Sequence, residues 1–241
     1  MYSIFLNSFL STVIAAVLCL PFLFQKKKNW NFFFIFSTSV FVINLLLKVG
    51  AKFNLGFHFN WTGKILSTAF VLGIIYFLKR RKERFDFGLT LKQKKGSLKP
   101  VIIVMTIYCL IETVFVYLYF GKADFNVESH LFQLTLPGIS EEIIYRGFYL
   151  GLLNQTFPQK KNIFNAQMGY ATIVITIMFA LGHGLSITNN FQINFYPLST
   201  LIPLIFGFIV IWIRERTGSI LIPVIFHNIT NELGLLIMNL K

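Results

Sequence analysis

The fold class predicted here is an all-α, polytopic bundle of about eight membrane helices, and three observations predict it. Only 13% of residues are charged while 55% are hydrophobic, against about 25% charged in a soluble domain. Mean hydropathy is +0.68, and several runs reach the ~20 apolar residues that cross a ~30 Å hydrocarbon core. The lysines and arginines sit in short blocks between those runs, as in cytoplasmic membrane loops. The net charge of +13 therefore points to membrane lipids as partners and not to nucleic acid, which asks for a continuous basic stripe. The two cysteines, Cys19 and Cys109, lie inside apolar runs and make neither a disulfide framework nor a thiolate metal site.

Eight apolar helical segments are expected, at about 4–24, 30–48, 62–78, 100–120, 135–155, 168–187, 198–213 and 220–240. The first lacks a basic region ahead of it and is followed by Lys26-Lys27-Lys28, so it reads as a retained helix and not a cleaved signal peptide. Trp30, Trp61 and Trp212 fall near segment ends, where indole rings anchor at the interface. The third segment is short, and the seventh contains proline and glycine. Most of the 22 basic residues lie in the loops after segments 1, 3, 5 and 7, whereas Lys48, Lys52, Lys64, Lys122 and Lys241 fall on the other side. That bias puts the odd-numbered loops in the cytoplasm and both termini outside. The chain divides into N-terminal helices, 1–120, with a basic cytoplasmic loop at 79–100, and a second half, 121–241, that holds most of the chemistry. Within the basic loop, Phe85 to Leu91 is apolar enough to lie on the headgroups.

Polar residues concentrate in that second half. Glu141 and Glu142 are adjacent, and Arg146 stands four residues after Glu142, so Glu142 and Arg146 share a helix face. Glu141 is rotated about 100° away and meets different surroundings, which is how neighbouring acids acquire separate roles. His183 lies between glycines in Phe179-Ala180-Leu181-Gly182-His183-Gly184. His227 and Asn231 share one face of the last segment, and Asn228 and Glu232 share another. Any one of these could be a structural hydrogen bond of about 0.6 kcal/mol. Together, on three successive helices, they are the groups that activate water and hold an oxyanion.

Glu-Glu-x-x-x-Arg at 141–146, Phe-x-x-x-His at 179–183 and His-x-x-x-Asn at 227–231 resemble, in order, the three motifs of the CPBP intramembrane proteases, the CAAX protease and bacteriocin-processing or Abi family. The resemblance covers about residues 134–231; Tyr145 stands where phenylalanine is common. It implies an all-helical intramembrane endopeptidase acting on a membrane-associated peptide or protein, with CAAX-processing relatives cutting just after a prenylated cysteine. By the same analogy Glu141 is the general base, Glu142 and Arg146 support it, His183 positions the water, and His227 with Asn231 holds the oxyanion. The residues leave the cofactor open. A catalytic zinc would draw on Glu141, His183 and His227, and a metal-free glutamate mechanism needs no ion.

Two other functions are compatible with these residues: a non-catalytic membrane protein that binds a partner in bacteriocin immunity or sensor-kinase regulation, and a proton-coupled transporter. The transporter reading lacks a matching set of charges in the first half. A composition rich in Phe, Ile, Asn and Lys suggests an AT-rich genome and a bacterial cytoplasmic membrane. The expected segment ends put Glu141 and His227 each about 10 Å from opposite faces, so a shared site requires a tilted fifth segment or a shifted boundary. Glu112 is an intramembrane acid without an evident partner. His58 and His130 are read as loop residues with no special role.

Overall fold

Long apolar runs satisfy their backbone within helices, the economical solution in lipid. The computed structural model describes residues 2–24, 30–53, 55–80 and 85–241; Lys26-Lys27-Lys28 and residues 81–84, counted above for topology, lie outside them. The chain runs α1 (Tyr2–Leu18), a 3-10 turn (Leu20–Phe24), α2 (Trp30–Lys52), α3 (Trp61–Lys79), α4 (Leu98–Tyr119) and α5 (Val127–Glu141). A π-helix (Glu142–Tyr149) continues α5 into α6 (Leu150–Thr156), followed by strands β1 (Lys160–Ile163) and β2 (Ala166–Gly169), α7 (Tyr170–Gly184), strands β3 (Leu185–Ile187) and β4 (Ile193–Phe195), α8 (Pro197–Thr217) and α9 (Leu221–Asn239).

The fold is mostly helical, with two corrections. Among the described residues, α2, α3, α4, α8 and α9 are long and apolar enough to cross a membrane, whereas α1 and α7 are shorter; eight spans are not established. The sixth segment ends three residues early at Gly184, because Leu185–Ile187 pairs antiparallel with Ile193–Phe195. A second hairpin pairs Lys160–Ile163 with Ala166–Gly169. Its two-residue turn, Phe164-Asn165, has φ of 47° and 61°, the left-handed pair that a twisted hairpin needs.

The fifth segment begins at Val127 and not near 135. Asn126 caps it by accepting from Ser129 N at 3.0 Å, and its polar first turns are fixed from outside. His130 is buried and bonds Glu232 of α9 at 2.7 Å, so it ties two helices and is not a loop residue. Glu141 thus follows fourteen helical residues, ~21 Å of rise. That places it midway along a continuous helical stretch and removes the depth mismatch with His227.

The loop 85–97 is held by specific contacts. Phe87 is buried, stacked on Phe85 at 5.2 Å, and Ile220 N donates to Gly88 O at 2.9 Å. Arg214 grips Asp86, and Ser219 donates to Thr90 O. The segment is folded against the α8–α9 turn. Its peptide groups find protein partners there, which an apolar surface would not supply. The outer face of α4 carries exposed Ile103, Ile107, Leu110 and Val114, the apolar coat expected toward lipid.

Candidate active site

The site is built where α5 loses its regular ladder. Pro137 has no N–H to donate, and the next amide, Gly138 N, donates to Asn228 Oδ1 of α9 at 2.8 Å, while Asn228 Nδ2 donates to Thr135 O at 3.1 Å. A Cβ at Gly138 would stand 2.4 Å from Asn228 Oδ1 and 2.8 Å from Val224 O, so only glycine lets α9 come this close. Asn228 and Glu232, one face of α9, hold α5 in place; His227, on the next face, reaches the acids. Immediately beyond the break the backbone switches to the π-helix Glu142–Tyr149, a local widening common at functional sites.

Glu142 and Arg146 are fully buried and paired at 3.1 Å. Arg146 also donates to Gly207 O of α8 at 3.4 Å and lies over the Phe179 ring at 4.1 Å. His227 Nδ1 bonds Glu142 Oε1 at 2.7 Å, and its Nε2 faces Glu141 Oε2 at 3.9 Å. His183 Nδ1 bonds Phe179 O at 2.7 Å. A carbonyl can only accept, so Nδ1 carries the proton and a neutral ring keeps its lone pair on Nε2. That Nε2 also stands 3.9 Å from Glu141 Oε2. Glu141 Oε2 and Glu142 Oε2 are buried without a hydrogen-bond partner among the described residues. The other oxygen of Glu141 accepts from Lys64 Nζ of α3 at 2.6 Å.

The fold therefore brings together Glu141, Glu142, Arg146, His183 and His227. Asn231, one turn beyond His227 and half-buried, makes no side-chain hydrogen bond to a described residue. Lys64 was missed by sequence reasoning, which counted it as a loop charge. Its signal was a lysine three residues into an apolar helix, after the cap residue Asn60. Among the described residues no group of three or more His, Cys, Asp and Glu side chains has metal-holding geometry. Glu112 of α4 is half-buried and outside the site, with its Oε2 unpartnered.

A groove of about 1370 Å³ runs between Pro21, Phe157, Met168, Tyr170 and Phe208 and contains none of these residues. Chemistry and not size locates the site. A polar cavity of about 40 Å³, lined by Asn7, Ser11, Asn44 and Lys48, adjoins the motif residues through Tyr145 and Gly182.

This segment matches the family model described as type II CAAX prenyl endopeptidase Rce1-like, over residues 125–233. Residues 125–233 are similar to the Rce1-like family. The Rce1-like segment holds α5 through most of α9, and with it all six motif residues; Lys64 lies outside it. The five apolar helices and the match together indicate a multi-pass membrane protein and support a protease-type enzyme. Searches of curated proteins and of solved structures found no match.

Proposed function

We propose that this chain is an intramembrane endopeptidase in which Glu141 activates water against a peptide bond of a membrane-associated, CAAX-like substrate. One observation carries the reading: Glu141 Oε2, His183 Nε2 and His227 Nε2 converge without bonding one another, Oε2 standing 3.9 Å from each nitrogen. A gap too long for a direct hydrogen bond and lined by polar atoms suits one bridging water.

The step runs as general base catalysis. Water gives one proton to Glu141 Oε2 and directs the other at His183 Nε2, while its oxygen attacks the scissile carbonyl carbon. Both nitrogens of a protonated His227 donate, so Nε2 can hold the oxyanion while Nδ1 stays on Glu142. Asn231 adds an amide donor one turn away. Collapse of the intermediate breaks the C–N bond, and Glu141 returns its proton to the leaving amine. Glu142 and Arg146 act as a buried frame that orients His227.

A divalent metal fits this donor set poorly. The charges of Glu141 and Glu142 are already matched by Lys64 and Arg146, and an added dication would stand beside an ammonium on the same carboxylate. The glutamate mechanism is therefore favoured, and cleavage is expected to persist in a chelator.

The test is cleavage of a fluorogenic farnesyl-cysteine peptide ending Cys-Val-Ile-Met by the purified chain in liposomes. Wild type cuts the bond after the farnesylated cysteine, and a folded Glu141→Gln variant does not. Retained cleavage in that variant would refute the assignment.

A further inference from the structure

Lys64 comes from the half of the chain outside the Rce1-like segment, yet it makes the shortest contact to the carboxylate at the centre of the site, 2.6 Å to Glu141 Oε1. We infer that Lys64 is a positioning residue of the reaction, holding Oε1 so that Oε2 is turned toward the two imidazoles. The inference rests on the glutamate reading above.

The lysine is itself held in place. It sits in the first turn of α3, where Asn60 Oδ1 accepts from Gly63 N at 2.9 Å and Asn60 Nδ2 donates to Leu47 O at 2.9 Å. A Cβ at Gly50 would fall 2.3 Å from Gly63 Cα, so α2 and α3 touch backbone to backbone just beneath it. Glu128, at the start of α5, accepts from His58 N at 3.1 Å, Phe59 N at 3.0 Å and Trp61 Nε1 at 3.2 Å. The same two helices are thus clasped twice: Glu128 of α5 grips the start of α3, and Lys64 of α3 grips Glu141 of α5.

That double arrangement separates positioning from simple cross-bracing. The first clasp already fixes α3 against α5 with three hydrogen bonds at the accessible end. The second takes a lysine and a glutamate largely out of water, side chains 13% and 19% exposed, where a pair seldom repays its desolvation as adhesive alone. It also engages only one carboxylate oxygen and leaves the other buried and unpaired. A general base needs one oxygen free, and this contact leaves Oε2 free beside His183 and His227.

The experiment uses the full chain in liposomes with the farnesylated peptide. Lys64→Met is expected to lower kcat about 10²-fold, the scale of a misplaced catalytic group, with KM little changed. Lys64→Arg keeps the charge and is expected to recover most of the loss. Lys64→Gln takes the place of the methionine variant if that one does not fold. A parallel thermal-melt cycle on Lys64→Met, Glu141→Gln and the double variant is expected to show coupling between the two sites. Unchanged kcat, a loss confined to KM, or additive melting shifts would each overturn the inference. If wild type fails to cut the peptide, the protease reading falls on its own evidence. Coupling in the melts would then mark a structural bridge, and the positioning role would fall with it.

Discussion

The charged cluster at the α8–α9 turn and the one in the site are built on opposite terms. At the α8–α9 turn, Glu215 is nearly buried and both its oxygens are engaged. Oε1 accepts from Asn154 at 2.9 Å and Lys160 at 3.3 Å, and Oε2 from Lys160 at 3.4 Å. Beside it Arg214 holds Asp86 through both carboxylate oxygens at 3.1 Å. In the site, Glu141 and Glu142 each use one oxygen and leave the other buried and empty-handed. What sets the site apart from the Glu215 clamp is that the free oxygen of Glu141 stands 3.9 Å from two imidazole nitrogens. The difference is visible only atom by atom, since both clusters look alike as counts of charges.

The sharpest way to break this contrast is to exchange one acid in each cluster for its amide. Glu141→Gln is expected to lower kcat about 10³-fold, within the 10²–10⁴ range of a general base, whereas Glu215→Gln leaves kcat of the folded fraction nearly unchanged. Equal losses would mean that the contrast carries no functional information. The corresponding arginine exchange probes stability. Arg146→Met strands a fully buried carboxylate and is expected to destabilise by about 3–5 kcal/mol. Arg214→Met, whose partner Asp86 is largely exposed, is expected to cost about 1–3 kcal/mol; thermal melts in detergent compare the two. Asn231→Ala is expected to reduce kcat by about 10² with no change in melting, because its amide braces no described residue.

The smallest effect concerns pH. Burial raises the Asp86 carboxyl, but the Arg214 guanidinium outweighs it and holds the group below its ordinary value of 3.8. An acid depressed in the folded state lends its full stabilisation above that ordinary value and loses it as pH falls through the lowered one. Amide protection across residues 85–97, taken relative to the intrinsic exchange rate at each pH, should therefore be high at pH 7 and drop only below about pH 4. In Asp86→Asn the protection should be lower at neutrality and insensitive to that step.

Much of the helical layout was legible because hydropathy reports length and phase directly. The expected segment at 62–78 became α3 at Trp61–Lys79, and that at 220–240 became α9 at Leu221–Asn239. The start of α5 was not legible, since Glu128 and His130 look like loop residues until the α2–α3 turn and Glu232 supply their partners. The hairpins were hidden for a related reason: short strands next to membrane helices carry no hydrophobic period of their own. Among the motif residues, spacing placed Glu142 and Arg146 on one face, as they are found. Lys64 could not be assigned, because a lysine near a helix end normally reaches for water, and only the packing of α3 on α5 turns it inward.

The π-helix at Glu142–Tyr149 has a consequence for how this protein tolerates length changes. A widened turn accommodates an additional residue between two stretches of ordinary helix, and each residue of an α-helix advances the azimuth by about 100°. Deleting one residue between Ile143 and Phe148 would let the backbone relax to a uniform spiral. Because the widened turn is what absorbs that residue, the helix from Leu150 onward would keep nearly its present face. The change would fall inside the turn: loss of Ile144 or Tyr145 would bring Arg146 to three residues from Glu142 and out of its present i, i+4 pairing. The segment is thus phase-locked, and a substitution in it should be borne far better than the loss of a single residue.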